Sequence, residues 1–285
     1  MNLDIIEACK YHFSSGKDYP IHLDKNYILN VDVDGVTFSL YMSIKSNSDK
    51  LIICSPGAID ATKVTPPYYH RWSWANKFPE STIVISDPTL ETGKFNIGWF
   101  LGNKNQYSLV KFVNIISHIA SQINVDRANT IFYGSSAGGF SSLVMSAYLK
   151  GSKAIVQNPQ IDIRKYHGSH YSELIKNNFD NNDVPIERTN VISIFEKQNY
   201  IPSIYYIQNI YDSHHFDTHF KIFLDGITTI KKRITINSDI IFDLYSKKAQ
   251  GHDADTFDMA THRLKCAFKH FYNSDFAILD KSNTF

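Results

Sequence analysis

Apolar and polar residues alternate between Tyr27 and Ile44, and the alternation breaks once, at Asp34-Gly35. Side chains two apart share one face of a strand, so ILNVDVD and VTFSLYMSI predict a β-hairpin turning at that dipeptide. The pattern then changes character. After the polar KSNSDK, the run LIICSPGA (51–58) is almost wholly apolar and ends in Pro56-Gly57. Such a run, bounded by turn residues, predicts a strand buried on both faces. STIVISDP (81–88), TIFYG (130–134), KAIVQNP (153–159), SIYYIQN (203–209) and IIFDLY (240–245) repeat it. SLVKFVNIISHIASQI (108–123), FSSLVMSAYL (140–149) and a stretch from roughly Thr256 to Tyr272 place apolar residues three and four apart, which predicts helices.

Strands alternating with helices after an antiparallel hairpin imply a doubly wound, mostly parallel sheet. Two antiparallel strands and six more make eight, the strand count of the α/β-hydrolase fold. With 43% hydrophobic residues, 285 residues suffice for one sizeable core, so residues 1–285 are expected to form a single domain. The segment 162–202 is longer and more polar than a crossover needs, and it predicts a small helical cap insertion.

Composition removes several alternatives. The net charge is +1, with Lys and Arg scattered along the chain, which argues against nucleic acid as a partner. No apolar stretch approaches the roughly 20 residues that cross a bilayer, and the N-terminal MNLDIIEACKYHF lacks the basic start and apolar run of a secretory signal. A cytoplasmic protein, not embedded in membrane, is expected. Cys9, Cys54 and Cys266 have neither metal-ligand spacing nor a disulfide framework, so no metal is expected. The 14% aromatic content fits either core packing or a groove for a flat ligand such as a sugar.

The candidate chemistry lies in TIFYGSSAGGFSSLVMSAYL. A strand runs directly into Gly134-Ser135-Ser136-Ala137-Gly138 and then into a helix, which is the context a nucleophile elbow requires. There Ser136 would stand exposed on a strained turn, and the following N–H, that of Ala137, would face a developing oxyanion. Ser135 is out of frame, because Tyr133 rather than glycine stands two residues before it.

In this fold the acid follows the penultimate strand and the histidine follows the last. Asp212 lies just beyond SIYYIQN, and His252, preceded by Gly251, lies beyond IIFDLY. Asp217 is expected inside the next helix, and Asp253 cannot easily face its own neighbour's ring. The second oxyanion donor should come from SPGAIDATK, as the N–H of Gly57 or of Ala58; the sequence leaves both open.

With these residues in place the chain resembles a group of bacterial α/β-hydrolase-like proteins of capsule, glycan and glycoprotein biosynthesis. The group includes carbohydrate O-acetyltransferases of capsule systems and of the accessory secretion machinery. The similarity runs through HRWSWA (70–75), ISDPTL (85–90), IGWFLG (97–102), YGSSAGGF (133–140), QNPQIDI (157–163), YIQNIYDSHH (206–215) and QGHD (250–253). It implies an active site of Ser136, Asp212 and His252, with Arg71, Trp74, Trp99 and His215 near the pocket. Arg71 could orient an anionic or hydroxyl-rich ligand, and Trp74 or Trp99 could stack on a sugar face. Core packing is the alternative for both tryptophans. His215 is either a partner of the acid or acceptor, or a structural histidine.

The resemblance implies acetyl transfer to a carbohydrate hydroxyl, with acetyl-CoA as donor and no bound cofactor. The same three side chains serve an esterase acting on acyl esters of a glycan or small molecule. A third reading is an interaction module in a glycan-assembly or secretion complex, which would not need the intact Ser-Asp-His order. The sequence does not fix an oligomeric state.

Overall fold

The computed structural model describes residues 8–12, 17–234 and 238–278. Its strands are β1 (Ala8–His12), β2 (Lys25–Val33), β3 (Val36–Ile44), β4 (Leu51–Cys54), β5 (Ser81–Ile85), β6 (Thr130–Ser135), β7 (Lys153–Gln157), β8 (Ser203–Asn209) and β9 (Ile240–Tyr245). They form one sheet in the order β1-β2-β3-β5-β4-β6-β7-β8-β9. Asp34 and Gly35 have φ of 51° and 80°, the pair of positive values that a type I′ hairpin turn needs. β3 pairs antiparallel with both β2 and β5, and every pair from β4 to β9 is parallel.

The eight strands expected from the pattern are all present. β1 adds a ninth, parallel to β2 at the sheet edge, with Ala8 opposite Ile28. ACKYH has no periodic signal, and an edge strand held by backbone pairing to one neighbour requires none.

The helices are α1 (Ser108–Gln122), α2 (Ala137–Tyr148), α3 (Gly168–Asn178), α4 (Ile186–Thr189), α5 (Val191–Gln198), α6 (Ser213–His215), α7 (Lys221–Ile230) and α8 (Phe257–Tyr272), with a π-turn at Phe216–Phe220 between α6 and α7. Alternate side chains of each central strand enter opposite layers. In β6, Phe132 packs in the cluster that holds α1, α2, α5 and α7, whereas Ile131 and Tyr133 join α8 on the other face. Among the described residues no helix is long and apolar enough to cross a membrane.

The stretch 162–202 contains a short turn at Ile163–Lys165, then α3, α4 and α5. α5 buries Val191, Ile194 and Phe195 and packs against α2 and α7, as a crossover helix does. Tyr166, near the start of the stretch, reaches the pocket described next.

Because the central strands run parallel, the loops after β4, β6, β8 and β9 leave the sheet at the same end. That convergence is what lets residues distant in sequence meet.

Candidate active site

β6 ends in Ser135, and Ser136 turns the chain into α2 with φ 54° and ψ −120°. This region is costly for any residue with a side chain, so the surroundings must hold it. Two contacts do: Ser136 N–H donates to the Gln157 carbonyl at 3.0 Å, and Gln160 N–H donates to the Ser136 carbonyl at 3.1 Å. The flanking glycines permit the close approach. A Cβ on Gly138 would lie 2.7 Å from the Ser55 carbonyl and 2.8 Å from that of Pro56, and one on Gly134 would strike the Gly138 carbonyl.

Asp212 caps α6 on the loop after β8, and His252 sits on the loop after β9, where Gly251 takes φ 51°. Asp212 Oδ2 lies 2.5 Å from His252 Nδ1, and His252 Nε2 lies 3.1 Å from Ser136 Oγ. With Nδ1–H donating to the carboxylate, Nε2 is left to accept the serine proton. The acid is 4% exposed and the imidazole 41%, so the line runs from the interior out to solvent.

The other carboxylate oxygen is also engaged. Asp212 Oδ1 accepts from His215 Nδ1–H at 3.1 Å and from the His215 backbone N–H at 3.3 Å. Burial pushes the Asp212 carboxyl up, but the hydrogen bonds and charges of His215 and His252 outweigh it and hold the group below the usual carboxylate range. His215 is buried and stacks on His252, with ring centroids 4.0 Å apart and planes 11° apart. Burial lowers its imidazole to about 4, so it is neutral at pH 7. It stands behind the site, outside the pocket lining. Asp212, His215 and His252 bring donor atoms within 4.8 Å of one another. Both Nδ1 atoms face the carboxylate, the arrangement of two imidazole donors on one acid.

A pocket of about 400 Å³ opens beside Ser136. Gly57, Ala58, His70, Arg71, Trp74, Tyr166 and His252 contribute to its wall. Arg71 and Trp74 thus line the pocket beside Ser136. Trp99 is not: it is 1% exposed, and its Nε1–H donates to Gln160 Oε1 at 2.5 Å. That bond fixes the Gln160 amide so that Nε2 points at Ser136 Oγ, 3.4 Å away. Trp99 thus braces the elbow instead of offering a platform for a sugar.

The two loop amides also separate. Gly57 N–H donates to His70 Nδ1 at 2.9 Å and so is turned to the pocket wall. Burial, helped by the Arg71 charge, lowers His70 to about 4, keeping Nδ1 free to accept. Of the two candidates, the Ala58 N–H makes no hydrogen bond among the described residues, and Ala137 begins α2 directly after the nucleophile. Asp217 forms an exposed ion pair with Lys221 at 2.5 Å, and Asp253 is on the pocket rim.

Sequence reasoning missed three polar residues that hold these loops. Gln160 is one. Asn209, fully buried at the end of β8, donates from Nδ2 to the carbonyls of Lys247 and Gly251 at 2.9 Å each, which ties the acid's loop to the histidine's. Asp87, on the loop after β5, accepts from the N–H of Thr89 and Phe100 at 2.9 and 2.8 Å and anchors the segment carrying Trp99. The matching stretches ISDPTL, IGWFLG, QNPQIDI and YIQNIYDSHH signalled these positions without revealing their roles.

Solved structures share this architecture. The capsule O-acetyltransferase of Neisseria meningitidis serogroup A aligns with a TM-score of 0.59 at 15% identity, covering 84% of this chain and 95% of that one. A putative esterase from Staphylococcus aureus gives 0.55 at 13% identity, covering 93% and 89%. A fluorophosphonate-binding serine hydrolase of Staphylococcus aureus gives 0.53 at 12% identity, covering 89% and 100%. The chain has the α/β-hydrolase fold. The likeness of this α/β-hydrolase-fold protein to each of them is in fold, at low identity. The Neisseria enzyme has also been solved, as a mutant, in complex with CoA, with a TM-score of 0.55 and 16% identity. No protein-family model and no protein of curated function matches the sequence.

Proposed function

We propose that this protein is a serine acyltransferase that works through an acyl-Ser136 intermediate and moves an acetyl group from acetyl-CoA to a hydroxyl of a capsular or other surface carbohydrate. The observation that carries the reading is Ser136 on its strained turn, in hydrogen-bond reach of His252, which is held in turn by Asp212. His252 Nε2 takes the Ser136 proton as Oγ attacks the thioester carbonyl, then returns it to the departing thiol. The N–H groups of Ala137 and Ala58 receive the oxyanion. An acceptor hydroxyl, deprotonated by the same nitrogen, collects the acetyl group and frees Ser136. The fold-level likeness to a capsule O-acetyltransferase solved with CoA supports the choice of donor and acceptor.

Ester hydrolysis is the second reading, favoured by the open access of solvent to His252. Incubation with acetyl-CoA, with and without candidate polysaccharides, separates the two by thiol release. Acceptor-dependent release supports transfer; acceptor-independent turnover of simple esters supports hydrolysis. Either activity should fall by roughly 10⁴-fold or more in Ser136→Ala. Unchanged turnover in that variant would remove Ser136 from the mechanism.

A further inference from the structure

Arg71 stands in the pocket wall with no direct ion pair among the described residues. Its Nη2–H donates to the Ser135 hydroxyl at 2.7 Å, and its guanidinium lies 5.4 Å from the Trp74 ring and 5.2 Å from the Tyr133 ring. Among the described residues no carboxylate comes within 4.0 Å of it. The buried acid in the same wall, Asp255, feels the Arg71 charge only from beyond ion-pair distance, and its close contacts are with other groups. Its Oδ1 accepts from the amides of Gln157 and Gln250 at 2.9 Å each, and its Oδ2 lies 4.0 Å from Arg263. Arg263 is itself paired with Asp243 at 2.6 Å. His70 beside Arg71 is neutral, and Asp253 lies on the rim.

A half-buried guanidinium without a direct ion pair has lost hydration and gained, in contact, only a neutral hydroxyl and two ring faces in return. It retains N–H donors arranged in a planar fork, which suits a carboxylate or phosphate. Arg71 itself has φ 66°, an unfavourable backbone for a bulky side chain. Strain of this kind is tolerated where the surroundings fix a side chain for a ligand. The bonded Ser135 is the immediate neighbour of Ser136, so an anion held by the fork would lie beside the transferred group.

We infer that Arg71 forms an anion subsite, and that the substrate carries a carboxylate or phosphate close to the acyl group, on either the acyl chain or the acceptor. This rests on the acyl-Ser136 reading and narrows its substrate class. The phosphates of CoA sit at the far end of the pantetheine arm, too remote from the thioester to reach a guanidinium next to the nucleophile.

The test is a calorimetric titration of the Ser136→Ala protein, which needs no turnover and so stays readable if the acyl-serine reading fails. Succinate probes an anionic acyl chain, glucuronate and glucose 6-phosphate probe an anionic acceptor, and glucose is the neutral control. At least one anion should bind tenfold or more tightly than glucose, and the advantage should vanish in Ser136→Ala/Arg71→Met. Arg71→Gln, which keeps a planar amide against the rings, should lose it too if the methionine variant does not fold. Arg71→Lys should retain part of it. Preference for succinate assigns the anion to the acyl chain, and preference for either sugar anion assigns it to the acceptor. Equal binding of all four compounds, or an anion preference that survives loss of the guanidinium, overturns the subsite.

Discussion

Asp212 serves two imidazoles at once, and the division of labour between them follows from burial. His252 is open to the pocket and faces Ser136, while His215 lies beneath it, against the other oxygen of the acid and the underside of the ring. His215 therefore acts as a positioning residue. His215→Ala removes one donor to the carboxylate and the surface on which His252 rests. Its kcat should fall ~10–100-fold with KM little changed, by analogy with the loss of partners that orient a functional histidine. The pH profile should move as well, because Asp212 loses one of the two imidazole donors that hold its carboxyl down. A change confined to thermal stability, with kcat and pH profile intact, would reduce His215 to packing.

At the scale of the element, loops are joined by buried amides. Asn209 spans from β8 to the backbone that presents His252, so Asn209→Leu should lower kcat and destabilise the fold together. Each lost hydrogen bond costs about 0.5–1.5 kcal/mol, which a chemical denaturation curve would register. Wild-type stability in that variant would show that the loops hold themselves. These amides also mark the limit of what the sequence discloses. The eight strands from β2 to β9, the elbow and the two loops bearing Asp212 and His252 were legible because each depends on a local signal: an apolar run, a glycine, a place in chain order. Gln160, Asn209 and Asp87 resemble ordinary turn residues, and only the converging strand ends give them partners. Trp99 misled for a related reason, since a buried brace and a sugar platform are written with the same letter. The capture of the Gly57 amide by His70 joins two loops that no pattern connects.

Across the whole molecule, among the described residues, burial lowers four histidines together: His70 to about 4, His215 to about 4, His219 to about 3, and His214 in the same direction. Each folded-state value lies below the unfolded one of 6.5, so between these values the unfolded chain binds more protons than the folded one. The stability these imidazoles contribute is complete above pH 6.5 and drains away as pH falls toward 4, at about 1.4 kcal/mol per pH unit for each proton taken up, while the raised carboxyl of Asp87 acts the other way. Asp212 acts in the same direction at lower pH, its depressed carboxyl stabilising the fold until acid reaches it. Thermal melts from pH 7.5 to 5 should show a falling Tm; a flat profile would mean that these imidazoles titrate freely.

The indole of Trp99, locked in the interior, is bonded through Gln160 to the oxygen at which acylation would occur. When that oxygen is esterified it can no longer take the amide's hydrogen as before, and the electric environment of the ring changes with it. The protein therefore carries its own optical gauge of occupancy. An ultraviolet emission change should accompany each round of acylation in stopped-flow mixing, persist while the acyl group stays on Ser136, and disappear in Trp99→Phe although Trp72 and Trp74 remain.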